Sequence, residues 1–438
     1  MSTKSRIVRT LAVLAGASMA LTACGGSGAS NDASSGAKDS GTVTYWSMWK
    51  VGEAQQKVLA SAIADFEKET GDKVDVQWQG RTNTKKIIPA LNTNNVPDII
   101  DGSNANLDIA LGSTGQALPM TDAYNTEIDG KKLSELIPDK FAAVSNIKDK
   151  DGQPWMVPYS LTSDGIWFNA EKSPDLVTNP PASWDDFISL LDKEKAAGQT
   201  PIAADGDIAG YNAYWFVSAL VHSEGPGSFN KIATDKTGAG WDSPAVLDAA
   251  KKVQQLVDNG YLINGYNASK WPAQQQAWAT GGADLLFNGS WIPTETGTYA
   301  APGFKYASFA FPSVASQPSM ARADFTGFAV PKKAKNAAGA QKLAAFLMNK
   351  KNQDDMGTVA KVLPVRADAA ISPELAAVKK NIDDAKEIYL GNDGVSAPGY
   401  LEKNFNPTDD LLFLGKIDAG EFVSKMKAET IAYWKAQG

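Results

Sequence analysis

The sequence predicts two α/β lobes, and three observations carry that expectation. Strand-type and helix-type segments alternate from residue 42 onward, the chain has 438 residues, and it has one cysteine. Short strands alternating with amphipathic helices argue for parallel sheets with helices on their faces. Chains well beyond about 250–300 residues divide into more than one core. A single Cys rules out an intramolecular disulfide framework, so burial has to hold each lobe together.

The elements follow in order. Thr42–Trp49 alternates and is β-rich, a first strand ending near Trp46. Gly52–Glu69 carries Val58, Ala62, Ile63 and Phe66 at helical spacing, and Gly71 stands where a helix-ending glycine belongs. Lys73–Trp78 alternates again, Thr84–Asn94 reads as a helix, and Val96–Ile100 as a short buried strand. The second half repeats the logic. Gly165–Phe168, Pro201–Ala204 and Asp284–Phe287 read as strands. Ser183 caps a helix over Trp184–Ala197, and Ser243 with Pro244 opens another that ends near Gly260. Asn336–Asn349 and about Ala419–Trp434 complete the helices.

The first 24 residues have a different character. Lys4, Arg6 and Arg9 precede the small apolar run Thr10–Ala20, shorter than the about 20 residues that span a bilayer. This is the pattern of a secretory signal, expected over residues 1–23. Leu21-Thr22-Ala23-Cys24 resembles the bacterial lipobox, which implies that Cys24 is acylated and anchors the protein to the membrane. An ordinary signal with an incidental cysteine is the alternative. Residues 24–41, rich in Gly, Ser and Ala, are expected to form a flexible tether.

Charge and composition exclude several function classes. Lys and Arg number 42 against 49 Asp and Glu, a net charge of -7, so no basic footprint for nucleic acid is present. The one histidine, His222, has no Gly-x-Ser-x-Gly elbow to accompany it and reads as a surface or loop imidazole. One His and one Cys make zinc improbable. Asp149-Lys-Asp-Gly152 lacks the later ligands of a calcium loop and reads as a hairpin turn, as does Gly391-Asn-Asp-Gly394. No phosphate-cradling Gly-rich loop occurs, and no cofactor or metal is expected. A glycosidase, which needs only two suitably spaced carboxylates, stays open as an alternative.

Aromatic and polar residues gather at the strand ends instead: Trp46 and Trp49, Asp101–Asn106, Pro158-Tyr159, Tyr211–Trp215 and Gly289–Trp291. In open α/β sheets ligands sit beyond the carboxyl ends of strands. The C–H face of a pyranose stacks on an aromatic ring, and its hydroxyls need planar donors and acceptors. Trp184 and Trp434, inside helices, and Trp78 and Trp167, inside strands, read as structural.

Several segments, in this order and spacing, resemble extracellular solute-binding proteins of family 1, the carbohydrate-binding subunits of ABC importers. They are Thr42–Trp49, Asn95–Ile100, Trp155–Tyr159 with Trp167–Asn169, Pro181–Phe187, Gly281–Trp291, Thr326–Val330 and Leu363–Val365. The chain departs from the family pattern at Asp284–Leu286 and after Trp291. The resemblance implies a type II periplasmic-binding-protein-like fold, with two α/β lobes joined by three crossovers and a ligand cleft between them. The N-lobe would comprise residues 42–160 and 331–364, the C-lobe residues 161–330 and 365–438. Carried over by position, Trp46, Trp49, Lys50, Asp101 and Asn104 belong to the N-lobe wall. Asp164, Tyr214, Trp215, Trp291 and Asp324 belong to the C-lobe wall, and Arg366 to the third crossover. Trp291 is the implied stacking platform, Asp101 and Asp164 the implied acceptors and Arg366 the implied donor. Gln79 and Arg81 are further candidates. The implied partners are a disaccharide or short oligosaccharide and an ABC permease, with no nucleic acid and the protein acting as a monomer. A non-sugar solute is the alternative within the binding class.

Overall fold

The alternating segment after residue 42 is the first strand of a computed structural model that describes residues 41–93, 95–142 and 147–438. The signal segment, Cys24 and the tether before residue 41 lie outside the described residues. The strands of the first half are β1 Val43–Ser47, β2 Val74–Trp78, β3 Ile99–Ser103, the short pair β4 Glu127–Ile128 and β5 Lys131–Lys132, β6 Met156–Thr162 and β7 Asp164–Asn169. Those of the second half are β8 Ile202–Ala203, β9 Leu285–Gly289, β10 Tyr306–Phe309, β11 Met320–Arg322, β12 Asp324–Ala329, β13 Leu363–Pro364 and β14 Glu387–Tyr389.

The larger sheet has the order β13-β6-β12-β3-β1-β2. Its β1, β2 and β3 run parallel, and β12 runs against both β3 and β6. The smaller sheet has the order β10-β7-β9-β8, with β8 parallel to β9 and β7 antiparallel to its two neighbours. Two cores form, and the first continues from the larger sheet onto one face of the smaller through Trp167, Ala203 and Leu286. Tyr45, Phe66, Ile99 and Phe328 are buried on the larger one. Phe187, Trp215, Phe216 and Trp241 are buried behind the smaller one. Full burial of one such side chain contributes about 1.5–3 kcal/mol.

Local signals explain most boundaries. Helix Ala54–Thr70 buries Val58, Leu59, Ala62, Ile63 and Phe66 along one face and stops at Gly71, whose φ of 79° is left-handed. Helix Trp184–Ala196 begins with a reciprocal capping box between Ser183 and Asp186. Helix Pro244–Asp258 starts with its proline in the first turn, but the Ser243 side chain makes no cap bond. Asp149–Gly152 is the expected hairpin turn, bracketed by the antiparallel bridge Lys148–Pro154. Gly391–Gly394 is a turn of another kind. It follows β14 with Asn392 and Asp393 at φ 48° and 52°, and the Asp393 carboxylate accepts the Gly227 and Phe229 amides.

Ser163 is the single residue between β6 of the larger sheet and β7 of the smaller, and Ala323 the single residue between β11, which pairs with β14 in a separate two-stranded sheet, and β12 of the larger one. Thr162 pairs with Asp324, and Ser163 Oγ donates to the Arg322 carbonyl at 2.6 Å, so the two passages run side by side. This corrects the expected boundary at residue 330. Asp324–Ala329 fills the gap between β3 and β6 and buries Phe325 and Phe328 in the first core. A short apolar strand pattern does not say which sheet it joins, because its partners are far away in sequence. Among the described residues no helix is long and apolar enough to cross a membrane.

Candidate ligand-binding site

The carboxyl ends of β1, β2 and β6 lie at one edge of the larger sheet, beside the amino end of β12. The residues just beyond them line a cavity of about 500 Å³ whose opposite wall follows β9. That volume falls in the usual range for ligand pockets, about 300–1,000 Å³. Trp49, Arg81, Thr162 and Thr326 come from the first lobe, Trp291 and Glu295 from the second.

On the first wall, Trp49 is held from its edge and covered on a face. Its Nε1 donates to the Tyr159 hydroxyl at 2.7 Å, which donates to Asp101 at 2.8 Å. Asp101 also accepts the Met48 amide at 2.6 Å and is fully buried. Burial pushes its carboxyl up to about 6 against the pull of these donors. The Arg81 guanidinium lies 4.2 Å from the Trp49 ring centroid and grips both carboxylate oxygens of Glu53 at 2.9 and 3.0 Å. Burial works to raise Glu53, but the bonds from Arg81 and the Lys50 amide outweigh it and leave the carboxyl below its ordinary value.

On the second wall, Trp291 stacks on Tyr211 with centroids 6.0 Å apart and planes at 29°. Its ring folds back over Gly289, where an added Cβ would lie 2.2 Å from the ring. One turn further, Glu295 accepts Gln275 Nε2 at 3.0 Å. Burial, and next the Glu295 charge, raise the Tyr211 phenol.

Other expected site residues lie elsewhere. Asn104 is buried and its Oδ1 accepts the Phe325 amide, which locks β12 to the segment after β3. Asp101 is likewise a support inside the first lobe, with no exposed surface for a hydroxyl. Trp215 packs against Phe187, Phe287 and Phe311 in the second core. Arg366 is 1 % exposed, with four hydrogen bonds to Asp368, Asp129 and the Met348 carbonyl. It pins the chain after β13 instead of facing the cleft. Trp46 is half-buried against the first core, and exposed Lys50 lies over Gly80. Asp164, Tyr214 and Asp324 gather around Arg322 at the paired crossovers. Asp324 bonds it at 2.5 Å, Asp164 approaches to 3.6 Å, and the guanidinium lies 4.6 Å from the Tyr214 centroid. His222 also departs from expectation. It sits in the last turn of helix Ala209–Glu224, buried between Phe311 and Tyr389, and burial lowers its imidazole to about 4. The four tryptophans read as structural are so placed: Trp167 bonds the Asn288 carbonyl, Trp184 bonds Gln255, Trp434 bonds the Ala233 carbonyl, and Trp78 packs on Tyr45.

The family model of the bacterial extracellular solute-binding proteins matches residues 61–383. The chain belongs to this family. It is similar to the diacetylchitobiose binding protein of Streptomyces coelicolor, 23 % identical over 303 residues, and to the multiple sugar-binding protein of Streptococcus mutans, 24 % over 302 residues. The matches cover 67 % and 66 % of this chain, and 62 % and 67 % of those relatives' own lengths. The solved ligand-free RafE of Streptococcus pneumoniae superposes with a TM-score of 0.69 at 17 % identity, covering 90 % of this chain and 97 % of that one, so the two-lobed fold is shared. These relatives are binding proteins, and the glycosidase alternative has no support among them.

For a solute-binding protein the residues that sequence reasoning missed are informative. Glu53, Thr326 and Glu295 line the cavity, and Gln275 sits directly behind Glu295. Exposed Trp271 donates through Nε1 to Gln275 Oε1 at 3.2 Å. The strand-end rule could have found Glu295, one helical turn after Trp291. Trp271 and Gln275 reach the wall from a separate segment and leave no local signal. Among the described residues no group of three or more His, Cys, Asp or Glu could hold a metal ion.

Proposed function

We propose that the protein is the substrate-binding subunit of a carbohydrate ABC importer, capturing a disaccharide or short oligosaccharide between its lobes. The observation that carries this reading is the cavity itself, in which one wall offers an aromatic platform at Trp291 and the other offers hydroxyl and carboxylate groups at Thr326 and Glu53. That pairing suits the flat apolar face and the polar rim of a pyranose. The sugar-binding relatives point the same way. Trp291 is the stacking residue, and Arg81, more than Trp49, presents the first wall to the ligand.

A ligand touching both walls favours a closed form only through its differential affinity for closed over open. The two single-residue passages at Ser163 and Ala323 are short hinges suited to that motion. The closed form then docks on a membrane permease, and acylated Cys24 with its tether keeps the monomeric body near that permease.

The test is a thermal-shift screen over neutral mono-, di- and oligosaccharides. A ligand present at about 100 times its dissociation constant stabilises by about 2.7 kcal/mol. A rise in melting temperature with at least one sugar, confirmed by calorimetry, is the expected result. No shift with any sugar, against a clear shift with a peptide or polyol, would replace the sugar reading with another solute.

A further inference from the structure

The charges around the cavity are paired with one exception. Arg81 is neutralised by Glu53, and Lys361 is bonded to Glu374 at 3.0 Å. Glu295 forms no ion pair among the described residues. Its one partner there is the amide of Gln275. That amide has a fixed orientation. An indole N–H can only donate, so Gln275 Oε1 must face Trp271 and Nε2 must face Glu295. Glu295 therefore accepts at that bond, while burial, and after it the Asp205 charge, raise its carboxyl above the ordinary value, a strain that a cation beside it would relieve. Asp205 adds a second negative charge behind it, with both oxygens used on the amides of Gln274 and Gln275.

Aromatic rings flank this charge. Trp291, stacked on Tyr211, lines the cavity together with Glu295, whose charge reaches Tyr211, and Trp271 is tied to Glu295 through Gln275. Ring faces carry negative potential and attract cations. Hydroxyl groups could hydrogen-bond to Glu295, but they would leave its charge and the ring faces without a counter-charge. Complementary potential is a source of specificity in recognition.

We propose that Glu295 sets the specificity of the cleft, selecting a saccharide that carries a protonated amino group over its neutral counterparts. This rests on the sugar-binding reading and narrows it to amino sugars with a free ammonium, held at Glu295 beside Trp291 in the cavity.

The test compares matched β-1,4 disaccharides that differ only at C2, namely the glucosamine dimer, its diacetylated form and cellobiose. Each is titrated calorimetrically into the full-length protein at pH 6. The expected result is at least tenfold tighter binding of the amine than of either neutral sugar. In Glu295→Gln, checked for an unchanged melting temperature, the ratio should fall toward one whatever the absolute affinities. If that variant fails to fold, wild type is titrated at pH 6 and at pH 9, where the amine loses its proton, and the preference should vanish at the higher pH. Equal or tighter binding of a neutral sugar would overturn the amine selectivity and leave the sugar reading intact. Binding of none of the three would overturn the proposal, and the neutral-sugar screen above would then decide the wider reading separately.

Discussion

Trp49 and Trp291 face one cavity and are held in opposite ways. Trp49 is fixed by hydrogen bonds, its edge on Tyr159 and Asp101 and one face under Arg81. Trp291 is fixed by packing, one face on Tyr211 and its ring folded over Gly289. The difference shows that a tryptophan at a strand end is not by itself a sugar platform. A ring already covered by a guanidinium has less face to give, and Trp291, lodged against both Tyr211 and Gly289, lines the cavity with the part that stays uncovered.

The comparison can be broken most forcefully at the supports. Asp101→Ala removes the acceptor for the Met48 amide and the Tyr159 hydroxyl together, leaving two buried donors unsatisfied. Each costs about 1–3 kcal/mol, so denaturant unfolding should show a loss of several kcal/mol with a weaker effect on the Trp291 wall. Gly289→Ala tests the other side. A Cβ 2.2 Å from the ring forces Trp291 out of place. Such overpacking costs about 1–3 kcal/mol, and sugar affinity should fall at least tenfold by calorimetry. If binding survives unchanged, the packing account of Trp291 is wrong.

A third prediction contrasts buried titrating groups of the two lobes. The raised Asp101 carboxyl, at about 6, binds its proton in the folded state more tightly than in the unfolded one. Its contribution is complete below about pH 4 and is lost as pH rises through 6. The lowered His222 imidazole, at about 4, does the reverse. Its contribution is present above about pH 6.5 and is lost as pH falls toward 4. Each changes stability by up to about 1.4 kcal/mol per pH unit. Unfolding from pH 4 to 7 should therefore show Asp101→Asn and His222→Gln departing from wild type with slopes of opposite sign. Slopes of one sign would contradict the burial of one of them.

The smallest effect is expected at Arg81. Arg81→Ala removes a half-exposed ion pair worth about 0–1 kcal/mol and uncovers Trp49. Stability should barely change, while intrinsic tryptophan fluorescence on sugar addition should report a newly exposed ring.

These contrasts also mark what was legible in the sequence. Strand and helix periodicity located β1, β2, β7 and β9 and the helices with clear caps, such as Trp184–Ala196 after Ser183. Strand ends carrying aromatics gave Trp49 and Trp291. Positions matched to a family motif were less informative about side-chain direction. Asp101 and Asn104 stand in and just after β3 and Trp215 lies inside helix Ala209–Glu224, yet all three are buried, and Arg366 is consumed by Asp129 and Asp368. The side of the backbone a residue takes depends on register, and the register of β12 was set by partners more than 160 positions away. The same long range concealed Trp271 and Gln275.

The proposed function stands or falls on Trp291 as the platform for a bound sugar. Calorimetric titration of the best sugar from the thermal-shift screen into wild type and Trp291→Ala tests it most directly. Removing a central aromatic anchor costs about 2 kcal/mol or more, so at least a tenfold weaker dissociation constant is expected at a temperature where the variant, which loses the packing on Tyr211 and Gly289, is still folded. Wild-type affinity in Trp291→Ala would contradict it.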